Sequence, residues 1–143
     1  MATSLIADTL VFAGQPDASV LSAGLTRAGC RALVVPTPIG VAEAIEQSAF
    51  SAIVIAEASL PEDTSAFLRS LRRDTDAVIV VVGWGGAEHR VRRLMEGADS
   101  YLTRPIPDDY LRARLHALTT RRRTRVGRER DFLFLIPGPV AKN

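Results

Sequence analysis

Two oppositely charged residues stand where apolar strands of this sequence are predicted to end. Glu57 follows the apolar run Ala52–Ala56, and Arg104 follows a second predicted strand, Ser100–Thr103. In an open parallel sheet the carboxyl ends of the strands border one crevice, where binding or chemistry takes place. A carboxylate and a guanidinium brought together there form a charge-assisted, bidentate pair. The first hypothesis is therefore an ion pair between Glu57 and Arg104 at the edge of a sheet.

The remaining reactive side chains form no catalytic pattern. His89 and His116 lie on separate predicted helices, and the sequence contains neither a serine nucleophile motif nor a metal-ligand spacing. Each histidine is interpreted as an ordinary core or surface residue. Cys30, the single cysteine, precedes a predicted strand, which favours a buried and unreactive thiol. We expect no enzymatic activity, no metal and no cofactor.

The stretch 83–86, Gly-Trp-Gly-Gly, leads from a predicted strand into a helix N-terminus that is able to receive an anion. It has neither the lysine of a phosphate-binding Walker loop nor the spacing of a dinucleotide fingerprint. One interpretation is a flexible loop. The other is that Trp84 contacts a partner or a ligand, because an aromatic side chain beside a crevice is an effective anchor.

The basic character of the chain lies near its C-terminus. Residues 121–143 carry six arginines and one lysine against two acids, whereas residues 1–120 are net acidic. Such a cluster can bind nucleic acid electrostatically, but without a recognition helix or interleaved aromatics a solvated helix end running into a linker is favoured. The arginines are Arg121, Arg122, Arg123, Arg125, Arg128 and Arg130.

An apolar segment, 132–136, follows the arginines and is too hydrophobic to remain in water. It has three interpretations: packing back on the domain, pairing with a neighbouring chain, or the start of a further element. We divide the chain into a domain over 1–122 and a basic tail or linker over 123–143. The domain has an ordinary size for a single hydrophobic core.

No apolar run approaches the roughly 20 residues that cross a bilayer, and no signal peptide is evident at the N-terminus. The sequence therefore predicts a cytoplasmic protein without a membrane partner. Its hydrophobic fraction of 47% and charged fraction of 24% are typical of a globular domain.

Strand and helix patterns alternate five times along the chain. The predicted strands are 9–13, 31–35, 52–56, 77–82 and 100–103, and the last three helices are predicted at 65–73, 88–96 and 108–122. In the fourth helix, Val91, Leu94 and Met95 lie on one side. Short connections between such units require right-handed crossovers. The pattern predicts a flavodoxin-like, doubly wound five-stranded parallel sheet in the order 2-1-3-4-5, with helices on both faces.

Two motifs within this pattern resemble the response-regulator receiver domain family. One is Glu57 followed by Leu60 and Pro61, and the other is the block Gly97-Ala98-Asp99-Ser100-Tyr101-Leu102-Thr103-Arg104-Pro105. The resemblance covers about residues 8–120 and matches the ends of the third and fifth strands. In that family an aspartate accepts a phosphoryl group at the Glu57 position, and a lysine stands at the Arg104 position.

The resemblance implies a phosphoacceptor site that has lost its chemistry. Ala13 and Gly14 replace the acidic pair that holds Mg²⁺, and Val82 replaces a hydroxyl residue. Asp17 falls where the first helix begins, so it would serve as a metal ligand only in a rearranged loop. Three roles of Glu57 remain open: the pair with Arg104, a permanent mimic of the phosphorylated form, and a solvated glutamate without a role.

The resemblance implies a phosphorylation-independent pseudo-receiver that acts by protein contact in signal transduction or transcriptional control. The expected partner is another protein or a second copy of this chain, bound through the face made by the fourth helix, fifth strand and fifth helix, which the family commonly uses. Tyr101 matches the aromatic residue that turns inward or outward with activation, and its other interpretation is a partly exposed strand tyrosine. The alternatives are a small-molecule sensor at the Trp84 loop, a phosphoacceptor on Glu57, and nucleic-acid binding through the tail.

Overall fold

The computed structural model describes the backbone of residues 8–135 and the side chains of residues 8–122. Strands and helices alternate as the sequence predicts. The strands are β1 (Asp8–Phe12), β2 (Arg31–Val35), β3 (Ala52–Ala56), β4 (Val78–Gly83) and β5 (Ser100–Thr103). The helices are α1 (Asp17–Arg27), α2 (Pro38–Gln47), α3 (Thr64–Asp74), α4 (Ala87–Glu96) and α5 (Asp108–Leu135).

The five strands form one parallel sheet in the order β2-β1-β3-β4-β5, which confirms the predicted flavodoxin-like topology. Every residue of β3 and β4 is buried. These two strands consist almost entirely of apolar residues because helices cover both of their faces. The carboxyl ends of β1, β3, β4 and β5 therefore border a common crevice.

Two apolar clusters fill the space between the sheet and its helices. On one face α1 and α5 pack against the sheet through residues such as Leu25 and Leu115, both fully buried. On the other face α2 and α3 contribute Val41 and Leu68. Cys30 lies in the first cluster, and burial raises the pKa of its thiol, as expected for an unreactive cysteine.

Helix α4 differs from the other helices because none of its residues is buried. The apolar side predicted from Val91, Leu94 and Met95 is exposed to solvent, at 54%, 41% and 83% respectively. Apolar packing therefore contributes less to holding this helix than it does for the other helices. The other side of α4 makes polar contacts with the carboxyl end of β3.

Helix α5 extends to Leu135, so the prediction that it ends at Arg122 is wrong. Residues 123–135 continue the helix, and residues 132–135 of the apolar segment belong to it. Arg122 contacts the domain, since its Nε donates to the carbonyl of Asp76 at 3.0 Å. The side chains of Arg123, Arg125, Arg128 and Arg130 lie outside the described residues. No helix within the described part of the chain is long and apolar enough to cross a bilayer.

Candidate functional site

The carboxylate of Glu57 is the centre of a hydrogen-bond network at the carboxyl edge of the sheet. Glu57 is the first residue after β3, and its side chain is only 14% exposed. Tyr101 Oη donates to Glu57 Oε1 at 2.7 Å, and Arg93 Nε donates to Oε2 at 3.0 Å. His89 Nδ1 lies 2.9 Å from the same Oε2. Both carboxylate oxygens are thus engaged by side chains from α4 and β5.

The bond between Tyr101 and Glu57 passes over Gly83, the last residue of the intervening strand β4. A Cβ atom at Gly83 would lie 2.2 Å from Glu57 Oε1 and 2.5 Å from Tyr101 Oη. Only glycine leaves room for the two side chains to meet. The backbone N–H of Gly85 donates to Tyr101 Oη at 2.9 Å and fixes the hydroxyl from the other side.

The network determines the ionisation of its members. Burial alone would raise the pKa of Glu57, but hydrogen bonds from Tyr101, His89 and Arg93 outweigh it, so that pKa lies below its ordinary value. Burial and the bond to Glu57 raise the pKa of the Tyr101 phenol. The chemistry that this arrangement supports is therefore a fixed carboxylate and a neutral phenol that donates to it.

Arg93 connects the network to the end of α4. Its Nη1 donates to Glu96 Oε1 at 2.6 Å while its Nε bonds Glu57, and its side chain is 13% exposed. Burial alone would lower the pKa of Arg93, but the two carboxylates outweigh it and raise that pKa. His89 and Arg93 are four residues apart on the same helix, so both reach Glu57 from one side of α4.

The predicted ion pair between Glu57 and Arg104 is wrong, because each residue has a different partner. Arg104 Nη1 donates to Asp17 Oδ1 at 2.6 Å, at the first turn of α1. The Arg104 side chain is 10% exposed, and its Cζ lies 5.8 Å from the centre of the Trp84 ring. Arg104 pairs with Asp17, and Glu57 pairs with Arg93 of α4. Two ion pairs therefore replace the single pair that the sequence predicted.

Ala13, Gly14 and Val82, which stand where the receiver family has functional residues, lie at the same edge of the sheet. None of them has a polar side chain that could bind a cation. Ala13 is fully buried in the core, and Val82 is 1% exposed in the same apolar cluster. The backbone N–H of Gly14 donates to Ser59 Oγ at 3.1 Å, which ties the end of β1 to the turn after β3.

The residues present do not fit a magnesium ion of the kind that receiver domains bind. Hard oxygen ligands are required for Mg²⁺, and both carboxylates that line this crevice are already bonded: Glu57 by an arginine, a histidine and a tyrosine, and Asp17 by Arg104. The Arg93 guanidinium supplies positive charge beside Glu57 instead. Over the described side chains, no group of three or more His, Cys, Asp or Glu residues is arranged to hold a metal.

Two neighbouring crevices of about 460 Å³ each open beside this network. The first lies over Glu57, His89 and Arg93, and the second lies between α1 and the segment after β5. Trp84 and Arg104 border both. The Trp84 side chain is 71% exposed, which makes it the most solvent-accessible aromatic residue of the site.

The fold and the site define a receiver-like α/β domain, and comparisons with known proteins support the receiver family of two-component response regulators. The chain is 38% identical over 73 residues to the cell cycle response regulator CtrA of Brucella ovis. That match covers 48% of this chain and 31% of the relative, so the chain spans about a third of the curated relatives it matches. The same values hold for CtrA of Brucella abortus. No protein-family model matches the chain.

Several solved structures share the fold. A sensor protein from Polaromonas sp. JS666 has a TM-score of 0.68 at 24% identity, covering 80% of this chain and 97% of the other. The receiver domain of the TMAO respiratory response regulator TorR gives 0.68 at 23% identity, with the same coverage. The receiver domain of the histidine kinase PA1611 from Pseudomonas aeruginosa, with magnesium in its active-site cleft, gives 0.65 at 19%, covering 80% and 98%.

Sequence reasoning missed Arg93 and the contact of His89 with Glu57, and it named Asp17 and Gly83 without finding the bond of Asp17 to Arg104 or the close approach over Gly83. His89 was interpreted as an ordinary residue, yet it contacts Glu57. The spacing of His89 and Arg93 was a usable signal, since residues four apart share a helix face. The apolar residues of α4 concealed this signal, because the sequence suggested that their side of the helix packs against the domain. In the structure their side is exposed, and the side with His89 and Arg93 faces Glu57.

Proposed function

We propose that this chain is a pseudo-receiver, a receiver-like module that passes on a signal by protein contact and not by phosphoryl transfer. The observation that carries the proposal is the Glu57 carboxylate, whose two oxygens accept bonds from Tyr101, Arg93 and His89. We assign Glu57 to the acceptor position of the receiver fold by its place after β3, and the Arg93 guanidinium beside it supports this role for a fixed carboxylate.

Phosphoryl acceptance is disfavoured by the chemistry of this site. An acyl phosphate forms when a carboxylate oxygen attacks phosphorus while a divalent cation neutralises the charge on the transferring oxygens. Glu57 has no oxygen without a bonded partner, and Ala13 and Gly14 offer no metal ligands. The proposed module is not an enzyme and uses no cofactor.

Tyr101 is proposed as the residue whose orientation depends on the side chain at position 57. The tyrosine is 3% exposed and its hydroxyl is held by Glu57 and by the N–H of Gly85. In receivers the aromatic residue at this position turns inward with activation. Glutamate is one methylene longer than aspartate, so its carboxylate reaches toward the phosphoryl position and retains Tyr101 inward. The switch is therefore proposed to be set permanently.

The surface proposed to contact a protein partner is the face formed by α4, β5 and α5. A shallow depression on it is bordered by Leu94, Tyr110, Arg90 and Arg114. Leu94 and Tyr110 are 41% and 52% exposed, and arginines flank them. Apolar and aromatic side chains rimmed by cations suit a protein with complementary acidic groups or a second copy of this chain. The proposed location is cytoplasmic, and neither nucleic acid nor a membrane is proposed as a partner of this domain.

Two measurements test the proposal. The protein is incubated with acetyl phosphate and Mg²⁺ and its intact mass is recorded; no phosphoryl adduct is expected, and an adduct lost in Glu57→Gln would establish Glu57 as a phosphoacceptor. Affinity capture and light scattering are then compared for wild type, Leu94→Glu and Ile39→Glu. Ile39 is 71% exposed on α2, away from the proposed face, so its variant is the matched control. Equal partner recovery or self-association in all three would exclude this face.

A further inference from the structure

Only one of the two terminal nitrogens of the Arg104 guanidinium has a hydrogen-bond partner among the described residues. Its Nη1 bonds Asp17, but its Nη2 is buried and has no acceptor among the described residues. A buried N–H donor without an acceptor is costly, and such groups in folded proteins are rare. Nη2 is closed to water in this arrangement, so solvent does not supply the acceptor. A molecule that brought an oxygen to Nη2 would gain this unused donor.

The second crevice, between α1 and the segment after β5, leads to this guanidinium. Its volume is about 460 Å³, within the range of roughly 300–1,000 Å³ that is typical of small-molecule sites. Its walls are largely apolar and are formed by Val20, Leu21, Ile106 and Leu111. Few polar groups interrupt them: Arg27 and Asp108 at the rim already bond each other at 2.6 Å. An apolar cavity with one unused donor is a recognisable ligand site.

Trp84 and Arg104 both line this second crevice. Its ring centre is 5.8 Å from Arg104 Cζ, and its side chain is 71% exposed. The loop that carries it contains Gly85 and Gly86, and Gly86 has no neighbouring heavy atom within 4 Å of a Cβ position. Because Nη2 is buried, a molecule in the crevice reaches it only if a neighbouring side chain moves, and the exposed indole of Trp84 is the one least held by packing. The same indole presents a flat apolar surface on which a planar molecule stacks.

We propose that this crevice binds a planar, apolar small molecule carrying a carboxylate or carbonyl oxygen. The planar part stacks on Trp84 and fills the apolar walls, and the oxygen accepts a hydrogen bond from Arg104 Nη2. Nη1 keeps its bond to Asp17, which holds the fork in position. This site is separate from the surface proposed for protein contact. Ligand binding here would be possible whether or not Glu57 accepts a phosphoryl group.

The experiment uses 2-naphthoate as the probe, with 2-naphthalenemethanol as a probe of the same ring without the carboxylate. Trp84 is the only tryptophan, so quenching of its fluorescence reports directly on the crevice. Heteronuclear NMR of the full chain locates the perturbed residues. The variants are Arg104→Lys, which retains a cation for Asp17 but lacks the second nitrogen of the guanidinium fork, and Trp84→Ala, which removes the fluorophore and is followed by NMR alone. Arg69→Gln is the control, because Arg69 is an exposed arginine on α3.

The expected result is saturable binding of 2-naphthoate, with shifts confined to Trp84, Val20, Ile106 and neighbouring residues. A charge-assisted hydrogen bond predicts that Arg104→Lys weakens 2-naphthoate about tenfold and weakens 2-naphthalenemethanol much less, because a neutral hydroxyl accepts a weaker bond from Nη2 than a carboxylate does. Trp84→Ala weakens both probes, and Arg69→Gln weakens neither. A variant whose Tm equals that of the wild type is taken to retain its fold.

Three results would overturn the proposal. The first is the absence of saturable binding with a Kd of about 1 mM or lower. The second is binding that survives both Arg104→Lys and Trp84→Ala in folded protein. The third is a concentration-dependent dimer that Trp84→Ala disrupts and that excludes 2-naphthoate, since the crevice would then be an interface between copies.

Discussion

The Tyr101 hydroxyl and the Glu57 carboxylate are joined by a 2.7 Å hydrogen bond across the end of the intervening strand β4. The bond connects the end of β3 with β5, and the Glu57 carboxylate also binds Arg93 and His89 of α4. One carboxylate thus ties together the two elements, α4 and β5, that border the proposed contact face. The position of that face depends on Glu57 because α4 has no buried residue of its own.

Replacing Gly83 with alanine should break the bond between Tyr101 and Glu57. The added Cβ would lie 2.2 Å from Glu57 Oε1, so one of the two side chains must move. Overpacking of this kind costs about 1–3 kcal/mol of unfolding free energy. Denaturant unfolding measures the loss, and NMR of the Tyr101 ring reports whether the tyrosine turns outward.

The matched control for this substitution is Gly86→Ala in the same loop. Gly86 has a φ of −99° and open space around its Cβ position, so alanine is accommodated there. If Gly83→Ala and Gly86→Ala had equal effects, close approach of the side chains would not explain the glycine at position 83.

Replacing Glu57 with glutamine should loosen α4. The substitution removes the charge that Arg93 and His89 contact and leaves the 13% exposed guanidinium with Glu96 alone. We expect a loss of about 1–3 kcal/mol in the unfolding free energy, as for other buried charged hydrogen bonds. Hydrogen exchange should accelerate in α4 more than in α2 or α3.

The control for this change is Glu88→Gln, which neutralises an exposed glutamate in the first turn of α4. It should alter stability by no more than about 0.5 kcal/mol. Unchanged exchange rates in α4 of Glu57→Gln would contradict the idea that the carboxylate holds the helix in place.

The contribution of Glu57 to stability should disappear in acid. Its pKa in the folded protein lies below the ordinary value of 4.5, so the ionised carboxylate stabilises the fold fully above that value. The stabilisation is lost as pH falls through the folded pKa. The difference in unfolding free energy between wild type and Glu57→Gln should therefore shrink from about pH 5 to about pH 3.

His89 also contacts the carboxylate, so the acid titration is repeated in a His89→Asn background, where a neutral side-chain N–H replaces the imidazole. The decrease should persist there, because Tyr101 and Arg93 still bond the ionised form. A stability difference that does not vary with pH in either background would show that the folded pKa of Glu57 is not lowered.

A double-mutant cycle should separate the two ion pairs of the site. Arg104 bonds Asp17 and not Glu57, so Arg104→Met combined with Asp17→Asn should give a coupling energy of about 1 kcal/mol or more. The cycle of Arg104→Met with Glu57→Gln should give a coupling near zero. The measurement is chemical unfolding of the four proteins in each cycle, and the reverse order of couplings would restore the pair that the sequence suggested.

The fold could be read from local patterns because each pattern had one physical solution. The apolar runs of β3 and β4 lack a polar face, which requires cover from both sides of the sheet. Short connections with right-handed crossovers then determine the strand order. Helix α5 was predicted too short because a run of arginines at 121–123 does not stop a helix, and its backbone continues to Leu135.

The sequence alone determined which edge of the sheet carries the site, since Glu57 and Arg104 each follow a strand of known direction. Only the tertiary structure decided the partners of these two residues. The partner of Glu57 depends on which side of α4 faces β3. Val91 and Met95 are exposed and Arg93 bonds Glu57, so the polar side of this helix faces the sheet, contrary to the expectation from its apolar residues. Distances between side chains from different elements follow from packing and not from spacing along the chain, so the pairing of Arg93 with Glu57 and of Asp17 with Arg104 became visible only in three dimensions.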